Sequence, residues 1–266
     1  MKRTAAFLLL GASFAGIAAE APPAPSVVVA VMIDDLGEHL DEARRVTALP
    51  GPVACAILPH TTHAVTIANL AHAAGKEVLL HLPMESVGDM PLGAGGITLD
   101  MDEAEIKQTV QADLASIPFL VGVNNHEGSL MTQHPGDLAW IMQALRSAGP
   151  YFYVDSYTTA DSVAYEVARE QGVAAARRNV FLDDENTAES VHAQWQRLLK
   201  LAHLHGFALA IGHPRSATLA LLEQELPLLQ AEGVTLVPVS RIVVLQEAHP
   251  LPWPESAAPA PAAAKR

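Results

Sequence analysis

Short runs that are apolar at every position, separated by stretches of helical length, constrain this chain more than any other feature. They are "SVVVAVMI", "VACAILP", "EVLLHLPM", "FLVGVNN", "YFYVDS", "NVFLD", "FALAIGHP" and "TLVPVS". A strand with one face in water alternates apolar and polar residues, whereas an uninterrupted apolar run marks a strand covered on both faces, as in a parallel sheet flanked by helices. The intervening stretches, for example Leu36 to Leu49, Asp102 to Ile117, Pro135 to Ala148 and Thr187 to His205, have helical length. Two of them open with cap chemistry: Asp102 before Glu103 and Glu105, and Thr187 before Glu189 and Ser190. This alternation predicts an α/β fold of about seven or eight mostly parallel strands, in one unit over residues 26–247, with helices outside.

The ends are different in kind. "MKRTAAFLLLGASFAGIAAEA" has a basic start at Lys2 and Arg3, an apolar stretch from Ala5, and small residues near Ala18 and Ala21. That pattern predicts a signal peptide over residues 1–21, and so a protein exported to the periplasm or secreted. No other apolar run reaches the roughly 18 residues of a membrane span, so no transmembrane span is expected after cleavage. Residues 22–25 read as a short Pro-rich linker, and residues 248–266 as a disordered Pro/Ala-rich tail. A formal charge of −13 argues against a nucleic-acid partner. The single Cys55 cannot form an internal disulfide and reads as a small buried residue.

In parallel α/β folds the loops at the carboxyl ends of the strands converge on one face, where ligands sit. Taken in order, the residues closing the apolar runs are Asp34 and Asp35; His81, with Glu85 four residues on; Asn124, Asn125, His126 and Glu127; Asp155 and Ser156; Asp183 and Asp184; and His213. Of the 12 histidines, only His81, His126 and His213 lie in or at the end of such runs. Adjacent carboxylates at the end of a buried strand need a compensating charge, because each raises the other's pKa and both lose hydration. Imidazole and carboxylate together suit a divalent cation, zinc above all, and three protein ligands leave a position open for water. Asp35, His81 and His126 are the expected ligands, and Asp34 the expected general base. His213 is the expected acid toward the leaving group, with Asp155 orienting its ring. Asn124, Asn125 and Ser129 are expected to bind substrate hydroxyls.

These segments, "VMIDDLG", "LLHLPMES", "VGVNNHEGS", "FYVDS", "NVFLDD" and "AIGHP" in that order, resemble the divergent polysaccharide deacetylases, distant relatives of the NodB-type carbohydrate esterases. The resemblance covers most of residues 27–245. It implies a distorted (β/α) barrel and metal-dependent removal of acetyl groups from a polysaccharide or a peptidoglycan-like envelope glycan. In the typical esterases the first Asp of the pair is the base and the second a metal ligand, matching Asp34 and Asp35. Their second motif has two His four residues apart; here His81 matches the first and Glu85 stands in place of the second. Either Glu85 completes the ligand set or His126 does; His126 is favoured because a neutral imidazole leaves the metal more electrophilic, and Glu85 then joins the substrate-binding residues. The typical Arg that pairs with the base is missing from "NNHEGS".

Two other readings stand beside this one. An exported protein on the same scaffold that binds a glycan or an envelope partner without turnover would explain both departures. A metal hydrolase acting on phosphate esters would need cations near the strand ends, where only Arg177, Arg178 and Arg215 are found. The glycine-rich "PLGAGGITLD" reads either as a rim or lid over the site or as a flexible excursion.

Overall fold

The computed structural model describes residues 27–88 and 91–249. The expected signal peptide, the linker and the tail beyond His249 lie outside these residues. In chain order the elements are β1 (Val27–Leu36), α1 (Leu40–Ala48), β2 (Ala54–Ile57), α2 (Ala64–Ala73), β3 (Val78–Met84), α3 (Glu103–Ser116), β4 (Leu120–Glu127), α4 (Pro135–Ala148), β5 (Phe152–Asp155), α5 (Ala164–Glu170), β6 (Ala175–Arg177), β7 (Val180–Phe181), α6 (Ala188–His205), β8 (Phe207–Gly212), α7 (Ser216–Glu225), β9 (Val234–Leu236) and α8 (Val239–Ala248). Short 3-10 turns at Met131–Gln133 and Leu226–Glu232 complete it. Each of the eight apolar runs contains a strand; the additional strand, β6, has only three residues and no apolar run to announce it.

All pairings are parallel, in the order β6-β5-β4-β3-β2-β1-β8-β7, with β9 added beside the start of β1. β6 and β7 are the two ends of this path, yet only Arg178 and Asn179 connect them. Three residue steps span at most about 11 Å, so the sheet must curl until its ends nearly meet. The result is the distorted barrel, open along one seam. The Asn179 amide bonds the Leu209 carbonyl at 2.9 Å and its side chain accepts from the Leu209 amide at 2.7 Å, carrying the chain across to β8. On the other side of the seam, Gln246 of α8 stands in for a missing strand: its Nε2 donates to the Arg177 carbonyl at 2.9 Å and its Oε1 accepts from the Arg177 amide at 2.8 Å.

Alternation along each strand divides the core in two. Odd-numbered residues of β1, Val29, Val31 and Ile33, pack outward against the helices. The even-numbered Val28, Ala30 and Met32 point inward to meet Leu79, Phe152, Leu209 and Ile211, with Val239, Ile242 and Val243 of α8 plugging the interior. Cys55 is fully buried, and burial pushes its thiol up to about 12. The helix starts behave as their sequences predict. Asp102 and Glu105 form a reciprocal capping box, and the Thr187 side chain accepts from the Ser190 amide.

Candidate active site

The inward parity that fills the barrel with apolar side chains carries polar ones to its carboxyl end. Asp34, His81, Asn124, His126 and His213 continue the inward positions of β1, β3, β4 and β8. Asp35 should point the other way. Two breaks in regularity turn it toward the site: the register with β2 shifts between Ile33 and Leu36, and Asp35 takes a φ of 57°. That left-handed conformation is uncommon outside glycine, although Asp tolerates it better than most residues. Glu127 and Tyr157, at the ends of β4 and β5, share it with φ of 57° and 51°. Backbone strain therefore gathers around this end of the barrel.

Three side chains offer ligand atoms to a common point: Asp35, His81 and His126. Asp35 Oδ1 lies 3.1 Å from His81 Nε2 and 2.9 Å from His126 Nδ1, and the two ring nitrogens are 3.1 Å apart. Ligand atoms around a tetrahedral ion with bonds of about 2.0 Å stand about 3.3 Å from one another, so the spacing fits a zinc-sized cation. The donor set, two imidazoles and one carboxylate, fits as well. A further observation concerns the Nδ1 side of His81. Asn124 Nδ2 faces both oxygens of Asp34, at 3.0 and 3.1 Å, so that end is the amide nitrogen and the other is the carbonyl. Its Oδ1 then accepts from His81 Nδ1 at 3.0 Å, which places a proton on Nδ1 and turns Nε2 into the cluster.

Asp34 is buried beside the three, 3.7 Å from His81 Nε2. Burial raises its pKa, and the charges of His81 and His213 only partly offset this. Asp35 moves the opposite way: burial works against ionisation, but hydrogen bonds from His126 and His81 hold the carboxyl well below its ordinary range. On the facing wall His213 presents Nε2 at 3.5 Å from Asp35 Oδ2. Burial lowers the pKa of His213, while its hydrogen bond to Asp183 and the charge of Asp35 more than compensate, so the net shift is upward.

The carboxylate behind His213 is Asp183, not Asp155. Asp183 Oδ1 accepts from the ring Nδ1 at 2.9 Å and Oδ2 from the His213 amide at 2.8 Å; the Thr218 hydroxyl adds a third bond at 2.6 Å. Strand order explains the correction. Asp183 follows β7, which pairs with β8, whereas Asp155 ends β5, on the opposite arm of the sheet. Asp155 instead binds Ser162 Oγ at 2.9 Å, the Tyr157 amide at 2.8 Å and Arg177 Nε at 3.2 Å.

The expected substrate-binding residues are placed unequally. Ser129 borders the cleft, with Oγ accepting from the Val87 amide at 2.9 Å. Asn125 also borders it, but its amide is engaged by Tyr153, Ser156 and Glu127. Glu85 is neither in the ligand cluster nor in the cleft wall; its carboxylate accepts from the Leu99 amide at 2.7 Å and braces the following loop. Within that loop Ile97 forms a bridge to Met84. Sequence reasoning assigned no role to Asn124 beyond substrate hydroxyls, and none to Asp183. Their signal was present, as polar residues closing two apolar runs. The cleft itself has a volume of about 400 Å³, within the range of small-molecule sites.

A family model described as divergent polysaccharide deacetylase matches residues 31–243. The chain is 34% identical over 247 residues to the uncharacterized protein YibQ of Escherichia coli (strain K12), covering 93% of this chain and 77% of that one. It is 36% identical over 195 residues to an uncharacterized protein of Haemophilus influenzae, covering 73% and 69%. The crystal structure of the uncharacterized protein ATU2773 from Agrobacterium tumefaciens C58 superposes with a TM-score of 0.79 at 20% identity, over 84% of this chain and 92% of that one.

Proposed function

The chain belongs to the divergent polysaccharide deacetylase family, and from that premise we propose that it is a metal-dependent hydrolase removing acetyl groups from a polysaccharide or cell-envelope glycan. The observation that carries the proposal is the convergence of Asp35, His81 and His126 on one point, between the buried carboxylate of Asp34 and the imidazole of His213. A divalent cation held there, most simply Zn2+, supplies Lewis acidity that polarises an acetyl carbonyl and acidifies water.

The protein's own groups do the rest. Asp34 takes the proton of the attacking water, and its upward-shifted pKa suits a base better than an ordinary Asp would be suited. Asn124 holds both Asp34 oxygens in place and keeps the His81 proton on Nδ1. His213 gives a proton from Nε2 to the departing amine or hydroxyl, while Asp183 fixes the ring through Nδ1 and stabilises its charged form. Acetate and the deacetylated sugar are the products.

Among the described residues no helix is long and apolar enough to cross a membrane. The basic and apolar pattern of residues 1–21 supports export, which would bring the protein to envelope glycans. The direct test is acetate release from acetylated oligosaccharides by the zinc-loaded protein. Asp34→Asn should retain metal and release no acetate. Metal uptake by the wild type without acetate release from any acetylated glycan would instead support a glycan-binding protein on this scaffold.

A further inference from the structure

Arg178 occupies the seam of the barrel, between β6 and β7, and borders the cleft. It is 6% exposed. Its Nε donates to the Ser156 carbonyl at 2.6 Å and its Nη2 to the Tyr157 carbonyl at 2.8 Å, and the guanidinium lies 4.9 Å from the centre of the Phe181 ring. Among the described residues no carboxylate forms an ion pair with it, and Nη1 has no hydrogen-bond partner. Neutral carbonyls and a ring face do not replace the hydration a buried cation loses, and buried charges are ordinarily paired. Burial accordingly pulls the Arg178 pKa down to about 10, against the more distant charges of Asp155, Asp34 and Asp184.

Arg215, two residues beyond His213, borders the same cleft. It spends one guanidinium nitrogen on the Asp183 carbonyl, and it too has no carboxylate partner among the described residues. α7 starts at the next residue, Ser216, so the positive end of a ten-residue helix lies beside it. The cleft is thus mixed in charge: Asp34, Asp35, Glu127 and Asp184 line it together with two arginines, Arg178 and Arg215, that form no ion pair among the described residues and keep spare donors.

We propose that Arg178 and Arg215 form a subsite for an anionic oxygen group, a carboxylate or a phosphate, carried by the acetylated glycan next to the group that leaves toward His213. Guanidinium forks match both groups in geometry. The inference rests on the glycan reading and narrows it to acidic glycans. It also gives a purpose to a buried arginine that bracing the Ser156–Tyr157 turn alone does not require to face the cleft.

The test is binding of three sugars to the zinc-loaded protein by titration calorimetry at low salt. N-acetylglucosamine is neutral, N-acetylmuramic acid adds a lactyl carboxylate, and N-acetylglucosamine 6-phosphate adds a phosphate. At least one acidic sugar should bind about tenfold or more tightly than the neutral one, and which one does so identifies the anion. Arg215→Gln, at a partly exposed position, should bring the ratio close to one, and Arg178→Lys should reduce it. Equal binding of all three sugars by the wild type would overturn the proposal, as would a charge preference that survives in both variants. Acetate release from an acetylated chitooligosaccharide, measured in parallel, separates the two readings: release without charge preference removes the subsite and leaves the deacetylase, and the reverse removes the deacetylase alone.

Discussion

Asp183 receives two hydrogen bonds from a single residue, His213, one from the ring Nδ1 at 2.9 Å and one from the backbone amide at 2.8 Å. The carboxylate therefore sets both where the ring sits and which nitrogen faces the cleft. Burial opposes ionisation of Asp183, but these bonds and the one from Thr218 bring its pKa below the usual value, so it remains an anion beside the imidazole. Asp183→Asn should lower the rate of acetate release about tenfold to a hundredfold, with metal content unchanged. In the proposed mechanism His213 must be protonated to act, and Asp183 helps keep it so. In the variant the alkaline limb of kcat/KM should therefore move to lower pH, and an unmoved limb would mean that the proton comes from another group.

Asn124 joins Asp34 to His81 through opposite ends of one amide. Partners of this kind typically contribute 10- to 100-fold to metal affinity by orienting the ligand and fixing its tautomer. Asn124→Ala should weaken zinc binding by about that factor, read by competition with a chromophoric chelator. Nitrogen-15 NMR of the imidazoles should show His81 losing its preference for a proton on Nδ1. Unchanged affinity and tautomer would assign Asn124 to packing alone.

Away from the cleft, His60 Nε2 meets Asp113 Oδ1 at 2.7 Å, and the other Asp113 oxygen is buried without a partner. Burial outweighs the His60 hydrogen bond and pushes the Asp113 pKa up to about 7. The folded state thus holds a proton that the unfolded chain, with a carboxyl near 3.8, gives up earlier. Stability from this group is present below the unfolded value and is lost as pH rises through about 7. Asp113→Asn should remove on the order of 2–4 kcal/mol of pH-dependent stability between pH 4 and 8, seen in urea unfolding as a flatter profile. A profile as steep as that of the wild type would exclude Asp113 as its source.

Gln246 closes the exposed edge of β6 with two hydrogen bonds to Arg177. Its side chain is buried, so Gln246→Ala leaves a backbone donor and acceptor without partners at the seam. A loss of about 1–3 kcal/mol is expected in denaturant unfolding. A variant as stable as the wild type would mean that water or a neighbouring strand satisfies that edge.

Much of the fold was legible because parallel strands in a covered sheet must be apolar throughout, and that pattern is visible in one dimension. β6 was not, since three residues reading Ala-Ala-Arg carry no such pattern. Asp35, His81 and His126 could be singled out because polar groups closing apolar runs stand out, and the parity of β3 and β4 then brings the two histidines inward. Pairing His213 with Asp155 failed because strand order is not written locally: β7 and β6 are consecutive in the chain and lie at opposite ends of the sheet. Arg178 was visible as a cation near the strand ends but was given no role in the proposed site, since only a sheet curled until its ends meet brings that connection to the mouth of the barrel.

Metal stoichiometry tests the central claim most directly. Wild-type protein loaded with zinc and dialysed should retain one equivalent by elemental analysis, and Asp35→Ala and His126→Ala should each retain far less while keeping the wild-type circular dichroism. Retention of a full equivalent by both variants would contradict the three-residue centre on which the proposed hydrolysis depends.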